Sequence, residues 1–295
     1  MKQFVYEILT EKIISALEKG LVPWRMPWVR PGSAMPVNHI TRRAYSGINW
    51  LLLYSELVDK GYEQNEWLTF KQCTSRGSQI KKGERGTVVC YYSLREVDKK
   101  EKTNTAEKQL APFIRYYWVF NVEQTTLALV NEAREETFCP ITNAESIVMN
   151  MPRRPQIKKS RSASYRMSDD VVCIPRKELF SSASGYYATL FHELTHATGH
   201  ENRLNRFKNN TSMQFGGEKY SFEELIAEIG ACFLCAEAGI AQDILDNSAA
   251  YIKGWLTTFR NDKRFVVRAA NRAQRAVNYI LKEEKASYVH PKEAS

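Results

Sequence analysis

The spacing of apolar side chains predicts both helices and strands in the first half of the chain. Residues 1–20 carry apolar positions three and four apart, as on one face of an amphipathic helix. These positions are Val5, Ile8, Leu9, Ile13, Ala16 and Leu17. A second helix is predicted from Ile48 to Val58, and Gly61 is expected to end it.

Three later segments are rich in β-branched and aromatic residues, which is typical of strands. They cover residues 65–73, 86–94 and 113–122, and the stretch 77–86 between the first two predicts turns. Residues 98–109 are polar and charged, which favours a loop or a hairpin tip. The first half is therefore predicted to be α+β.

The second half has a mostly helical pattern. A short strand is predicted from Val171 to Ile174, followed by helices over residues 185–198 and 221–239 and a mostly helical stretch over 249–284. Ser221 is a candidate N-cap, with Glu224 at the third helical position. Together these patterns predict an α+β protein with domains at 1–130 and 168–295, joined by a linker at 131–167.

Charge and cysteine usage narrow the classes of function. Lys and Arg number 42 against 33 Asp and Glu, a net charge of +9, and residues 1–130 hold 19 of the bases against 13 acids. A basic balance favours nucleic acid as a partner. The N-terminus does not resemble a signal peptide and no run is long enough for a membrane helix, so we expect a cytoplasmic protein with reduced thiols. Cys232 and Cys235 lie in an apolar helix and are predicted to be buried.

The segment His192-Glu193-Leu194-Thr195-His196 fits the pattern HExxH. On a helix, positions four apart share a face, so both imidazoles can hold one cation. Glu193 would reach the open coordination position and serve as the general base. Zn²⁺ is the expected ion, with another divalent cation such as Mn²⁺ as the alternative.

The third metal ligand must come from elsewhere in the chain. The longer pattern HExxHxxGxxH has its glycine at Gly199, but Asn202 stands where its last histidine should be, and His200 is two residues too early. The segment EELIAE, residues 223–228, offers carboxylates instead. Glu224 is the predicted ligand and Glu228 the residue that orients a ligating histidine, with the reverse assignment left open; Glu223 is the least favoured. We also expect the strand Val171–Ile174 to be an edge strand along the cleft.

The aromatic and basic residues of the first half indicate single-stranded nucleic acid. Five of the six tryptophans lie within the first 118 residues, interleaved with tyrosines, lysines and arginines. Bases stack on such rings while cations follow the phosphates. Trp50, Phe70 and Phe120 are predicted to be core residues. The predicted DNA-binding residues are Arg25, Trp28, Arg42, Arg43, Tyr45, Lys81, Lys82, Arg85 and Arg115.

The chain resembles the ArdC-type antirestriction proteins of conjugative plasmids and other mobile elements, whose N-terminal region also occurs in TraC-type primases. The matching stretches in the first half are VPWRMPW, PVNHITRRAYSGINWLLL, WLTFKQC, IKKGERGTVVCYY and YYWVFNVEQT. Those in the second half are YYATLFHELTHATGHENRLNR and FGGEKYSFEELIAEIGACFLCAEAGI. Because both halves match in the same order, the resemblance covers nearly the whole chain.

The resemblance implies an N-terminal single-stranded-DNA-binding domain and a C-terminal zincin-like metallopeptidase domain that together protect incoming DNA from restriction during conjugation. It implies that His192 and His196 bind the metal, that Glu193 is the catalytic acid and base, and that EELIAE supplies the third ligand. An unidentified protein would be the substrate. Two alternatives stay open: a DNA-masking protein whose metal site is structural or vestigial, and a DNA-associated protease unrelated to restriction.

Overall fold

The computed structural model describes residues 2–25, 35–98, 108–127, 140–207, 218–240 and 249–283, and combines helices with two sheets. Its helices are α1 Lys2–Glu18, α2 Ile48–Lys60, α3 Phe70–Ser75, α4 Pro140–Asn150, α5 Ala183–Ala197, α6 Glu218–Ala238, α7 Ala249–Asn261 and α8 Phe265–Leu281. Its strands are β1 Val37–Asn38, β2 Glu66–Thr69, β3 Thr87–Asp98, β4 Lys108–Asn121, β5 Gln156–Lys159, β6 Ser164–Arg166 and β7 Val171–Ile174. The predicted α+β class is confirmed.

The first sheet has the strand order β1-β2-β4-β3, and the long antiparallel pair β3 and β4 forms one side of it. Helix α2 ends where the sequence predicts, because Gly61 adopts the left-handed conformation at φ 70°. The predicted strand 65–73 is too long. Thr69 and Gln72 form a capping box that starts α3 at Phe70, and the Phe70 side chain is 60% exposed instead of buried.

The second sheet is built partly from the segment predicted to be a linker. Strands β5 and β6 flank β7 in the order β5-β7-β6, and α4 precedes them. Strand β7 is the central strand and each of its residues is buried, so the predicted edge position is wrong. The edge next to the HExxH helix is β6, which pairs with β7 in antiparallel orientation.

One large apolar cluster among the described residues contains side chains of both predicted domains. Trp50 of α2 packs against Phe233 of α6 with ring centroids 5.0 Å apart. Trp24, which follows α1, meets Trp255 of α7 edge to face at 6.1 Å. Both rings of the first half are fully buried, so the two halves stabilise each other.

Helix α6 starts at Glu218, three residues before the predicted N-cap, so Ser221 lies inside the helix. Cys232 and Cys235 are buried as predicted, and burial raises the pKa of both thiols, which disfavours the reactive thiolate. Among the described residues, no helix has both the length and the apolar character needed to cross a bilayer.

Helices α5 and α6 approach closely at Gly230. A Cβ atom at Gly230 would lie 2.6 Å from Cγ2 of Thr195, which is fully buried and tied to the Phe191 carbonyl at 2.7 Å. We expect Gly230→Ala to destabilise the protein by about 1 kcal/mol, because overpacking outweighs the gain in helix propensity. Gly254→Ala on α7 is the control, since no atom lies within 4 Å of the added Cβ and the change should stabilise. Thermal unfolding of both variants measures this, and equal shifts would contradict it.

Candidate metal centre

Two helices present the candidate site. Helix α5, capped by the Ser182 side chain, which accepts from Gly185 N at 2.9 Å, carries His192, Glu193 and His196 in its last turns. Helix α6 packs across it and turns the first residues of EELIAE toward the two imidazoles. The close contact at Gly230 allows this approach.

The geometry of three side chains fits one divalent cation. His192 Nε2 and His196 Nε2 are 3.1 Å apart, and each lies 3.5 Å from a carboxylate oxygen of Glu224. In the described part of the chain, these three residues form the group whose ligand atoms lie within 4.8 Å of one another. Ligands bound to a tetrahedral zinc at about 2.0–2.1 Å are themselves roughly 3.4 Å apart, so the spacing suits such an ion.

Charge also suits a cation. Burial acts to raise the pKa of Glu224, but hydrogen bonding to His192 and the charges of both imidazoles outweigh it, and the pKa is lowered. Burial lowers the pKa of His192, yet Glu224 and Glu193 outweigh that effect and raise it. A cluster of carboxylates that favours positive charge on an imidazole equally favours a bound cation.

Glu193 lies beside this group in a cavity of about 370 Å³. It is 7% exposed, and burial raises its pKa, which suits a group that must take up a proton. The other lining residues are Ala163, Ser164, Tyr165, Met167, Phe207, Tyr220 and Glu223, besides the three ligand candidates. Strand β6 therefore forms one wall of the cavity.

Glu228 is not one of the three grouped ligand candidates, and it binds two residues that follow α1 and one residue of α7. It accepts from Arg25 at 2.6 Å, from Trp24 Nε1 at 3.0 Å and from the Tyr251 hydroxyl at 2.5 Å. The Arg25 guanidinium also lies 3.6 Å over the Tyr251 ring. Arg25, a predicted DNA-binding residue, is thus held in an ion pair, and its side chain is 16% exposed.

Glu223, the carboxylate that the sequence favoured least, is the one that lies on the Nδ1 side of His196, a candidate metal ligand. Its Oε1 lies 3.5 Å from His196 Nδ1 and accepts from Arg206 at 2.6 Å. Arg206 also donates to Thr198 Oγ1 and to the Thr195 carbonyl. A carboxylate at Nδ1 favours the tautomer that leaves Nε2 free for a metal.

We expect Glu223→Gln to weaken Zn²⁺ and Mn²⁺ binding by about 10–100-fold, because the neutral amide holds His196 less firmly in that tautomer. Titration of the metal-free protein with each ion measures the effect. Glu237→Gln, an exposed position on the same helix, is the matched control. Equal affinity of both variants and the wild type would show that Glu223 only anchors Arg206.

The residues after the second histidine have a packing role. The ring of Phe207 occupies the space that a Cβ of Gly199 would need, which explains the glycine without a longer metal motif. His200 accepts a hydrogen bond at Nδ1 from the Asn202 backbone N–H at 3.2 Å. Its position at the helix exit agrees with the prediction that it is not a ligand.

The predicted DNA-binding residues differ in how far their side chains are exposed. Tyr45 is only 8% exposed, so its ring cannot serve as a stacking surface, and Trp28 lies outside the described residues. Arg42 pairs with Glu66 at 2.6 Å while its side chain stays 53% exposed. The remaining candidates, all exposed, are Arg43, Lys81, Lys82, Arg85 and Arg115.

Each half of the chain matches a known protein family. The fold and the site define a zincin-like metallopeptidase domain, since residues 142–272 match the family of that description. Residues 3–120 match the N-terminal domain of the anti-restriction factor ArdC. The chain belongs to the ArdC antirestriction family.

Individual relatives support this assignment along the whole chain. The crystal structure of the antirestriction ArdC protein from plasmid R388 is similar with a TM-score of 0.74 in its metal-free form, at 35% identity over 94% of this chain and 96% of that one. The Mn(II)-bound structure of the same protein is similar with a TM-score of 0.73, at 34% identity over 94% of this chain and 97% of that one. The uncharacterized protein y4eC of Sinorhizobium fredii (strain NBRC 101917 / NGR234) is 33% identical, over 94% of this chain and 91% of its own length.

A DNA primase TraC of Escherichia coli is 33% identical over 95% of this chain. The match covers 27% of that primase, so the chain spans about a quarter of the length of this relative. The shared part corresponds to both halves of the present structure.

Proposed function

We propose that the protein is an antirestriction factor of a mobile element that binds single-stranded DNA and hydrolyses a peptide bond in a protein substrate. The observation that carries the peptidase part is the grouping of His192, His196 and Glu224 around one point with Glu193 beside it. The antirestriction part is supported by membership of the ArdC family.

His192, His196 and Glu224 would hold the divalent cation, for which we propose Zn²⁺, with Mn²⁺ as the alternative suggested by the R388 relative. When bound, such an ion polarises a carbonyl oxygen and acidifies water. Glu193 takes the proton from the attacking water and then delivers it to the nitrogen of the leaving amine. Its burial and raised pKa support both roles.

Strand β6 offers a binding mode for the substrate backbone. It is an edge strand, and Ser164 and Tyr165 line the cavity that contains Glu193. An extended peptide can add to such an edge through main-chain hydrogen bonds, which bind a backbone with little regard to its sequence. We propose that the substrate enters as an extended segment antiparallel or parallel to β6.

The DNA part of the proposal rests on charge and on exposed cations. The net charge is +9, and Arg43, Lys82, Arg85 and Arg115 are exposed in the first half.

Affinity for a single-stranded oligonucleotide should fall as salt rises, with a log–log slope of about −0.7 for each phosphate contacted. Because the two halves share a core, the salt dependence of binding is measured on the full chain. Lys82→Ala and Arg85→Ala should each reduce the slope. Binding that does not change with salt would contradict the proposed DNA binding.

The antirestriction role is tested by plasmid establishment in restricting and non-restricting hosts, with and without the protein. The proposal expects a benefit that is confined to the restricting host. An equal benefit in both hosts would leave a DNA-associated protease without a link to restriction.

A further inference from the structure

Three aromatic rings at one side of the first sheet are exposed to solvent. Phe4 is 54% exposed, Tyr116 is 39% exposed and Trp118 is 48% exposed. Tyr116 and Trp118 are two positions apart on β4, so they point to the same face of the strand. Phe4 of α1 extends this row, since its ring meets Tyr116 edge to face at 6.4 Å.

Two cationic residues precede the backbone segment that contacts this row. A Cβ atom built on Gly86 would be 3.1 Å from Trp118 Cβ, so Trp118 packs over the backbone that leads into β3. The exposed Arg85 is the preceding residue, and Lys82 lies in the same turn. The turn is held to the short 3-10 helix Val122–Gln124 after β4 by a hydrogen bond from Lys81 N to the Gln124 carbonyl at 2.9 Å.

We propose that Phe4, Tyr116 and Trp118 form a base-stacking platform for single-stranded DNA, with Lys82 and Arg85 at its phosphates. This inference rests on the proposed DNA-binding function and locates it on the sheet face of β4. Two positions along a strand advance about 6.7 Å, which lets adjacent rings receive separate bases of an extended strand. Stacking accepts every base, so the platform would bind without sequence specificity.

Charge complementarity favours this occupant over a second copy of the chain. A protein with a net charge of +9 repels its own copy, and the cations beside the row add to that repulsion. A polyanion with flat bases can stack on the rings and place its phosphates near the cations. The fixed turn at Lys81 and the paired β3 and β4 backbones hold the platform in place before DNA binds.

The test compares affinities of the full chain for a fluorescent oligothymidine. Trp118→Ala and Tyr116→Ala should each weaken binding by roughly 5- to 150-fold, the equivalent of stacking one base. Tyr117→Ala is the matched control, because Tyr117 lies on the same strand with 36% exposure but points to the opposite face. It should change affinity by less than about twofold, and Trp118→Phe should retain most of the affinity because a ring remains.

The outcomes separate the platform from DNA binding itself. If the wild type does not bind the oligonucleotide, the proposed DNA function fails. If the wild type binds and Trp118→Ala and Tyr116→Ala bind equally well, the platform is wrong and DNA binding stands. Tryptophan fluorescence gives a second measurement: the oligonucleotide should quench the wild type more than Trp118→Phe, and equal quenching would overturn the proposal. A change from dimer to monomer in Trp118→Ala, seen by light scattering, would also overturn it and assign the face to self-association.

Discussion

Glu193→Gln is expected to lower the rate of peptide hydrolysis by about 10²–10⁴-fold, because an amide cannot accept the proton of the attacking water. The variant should keep its fold, since glutamine has the same shape and removes a charge from a residue that is only 7% exposed. Affinity for the divalent cation and for single-stranded DNA should stay close to that of the wild type. Hydrolysis is measured with a generic unfolded protein substrate and the metal-loaded protein.

The same variant decides between cleavage and masking of DNA. If Glu193→Gln binds DNA but no longer protects a plasmid in a restricting host, masking alone does not explain protection. If it protects as well as the wild type, proteolysis is not the means of protection. Unchanged hydrolysis by the variant would remove Glu193 from its proposed role.

Substitutions of Glu224 and Glu228 are expected to have different effects, which decides which of the two is the third metal ligand. Glu224→Gln is expected to reduce metal affinity by at least about 100-fold, more than loss of an outer contact would, with little change in the stability of the metal-free protein. Glu228→Ala is expected to leave metal affinity nearly unchanged and to destabilise the metal-free protein. It leaves Arg25, Trp24 and Tyr251 without their shared acceptor and should cost about 3–5 kcal/mol.

Metal titration and thermal unfolding of the metal-free protein measure the two effects on the same samples. Arg25→Ala serves as a control for Glu228→Ala, since it breaks the same ion pair from the other side and lies far from EELIAE in the sequence. If Glu228→Ala lost metal affinity and Glu224→Gln kept it, the assignment of the third ligand would be reversed.

Local patterns allowed much of the fold to be predicted. The four-residue spacing of His192 and His196 requires only a helix to bring the imidazoles together, and α5 is helical there. Gly61 ends α2 because a left-handed residue is needed at that point, and such a need is visible in the sequence. The buried strand Val171–Ile174 was likewise evident from its unbroken apolar run, although its central position was not.

The residue roles that the sequence did not predict depend on contacts between distant parts of the chain. Glu228 was expected to orient a ligating histidine, but its carboxylate binds Trp24 and Arg25, and Arg25 lies 203 residues away along the chain. Glu223 contacts His196 because Arg206 holds it there, and periodicity alone cannot show that. Tyr45 is likewise buried in the apolar cluster to which both halves contribute, which its local sequence does not show.

Anomalous X-ray scattering from crystals grown with Zn²⁺, and separately with Mn²⁺, would locate a metal ion bound between α5 and α6. We expect one peak at the metal absorption edge, about 2.0–2.2 Å from His192 Nε2, His196 Nε2 and a carboxylate oxygen of Glu224, with Glu193 beside it. A peak bound by Glu228 or His200 in place of Glu224, or no peak between α5 and α6 at saturating metal, would contradict it.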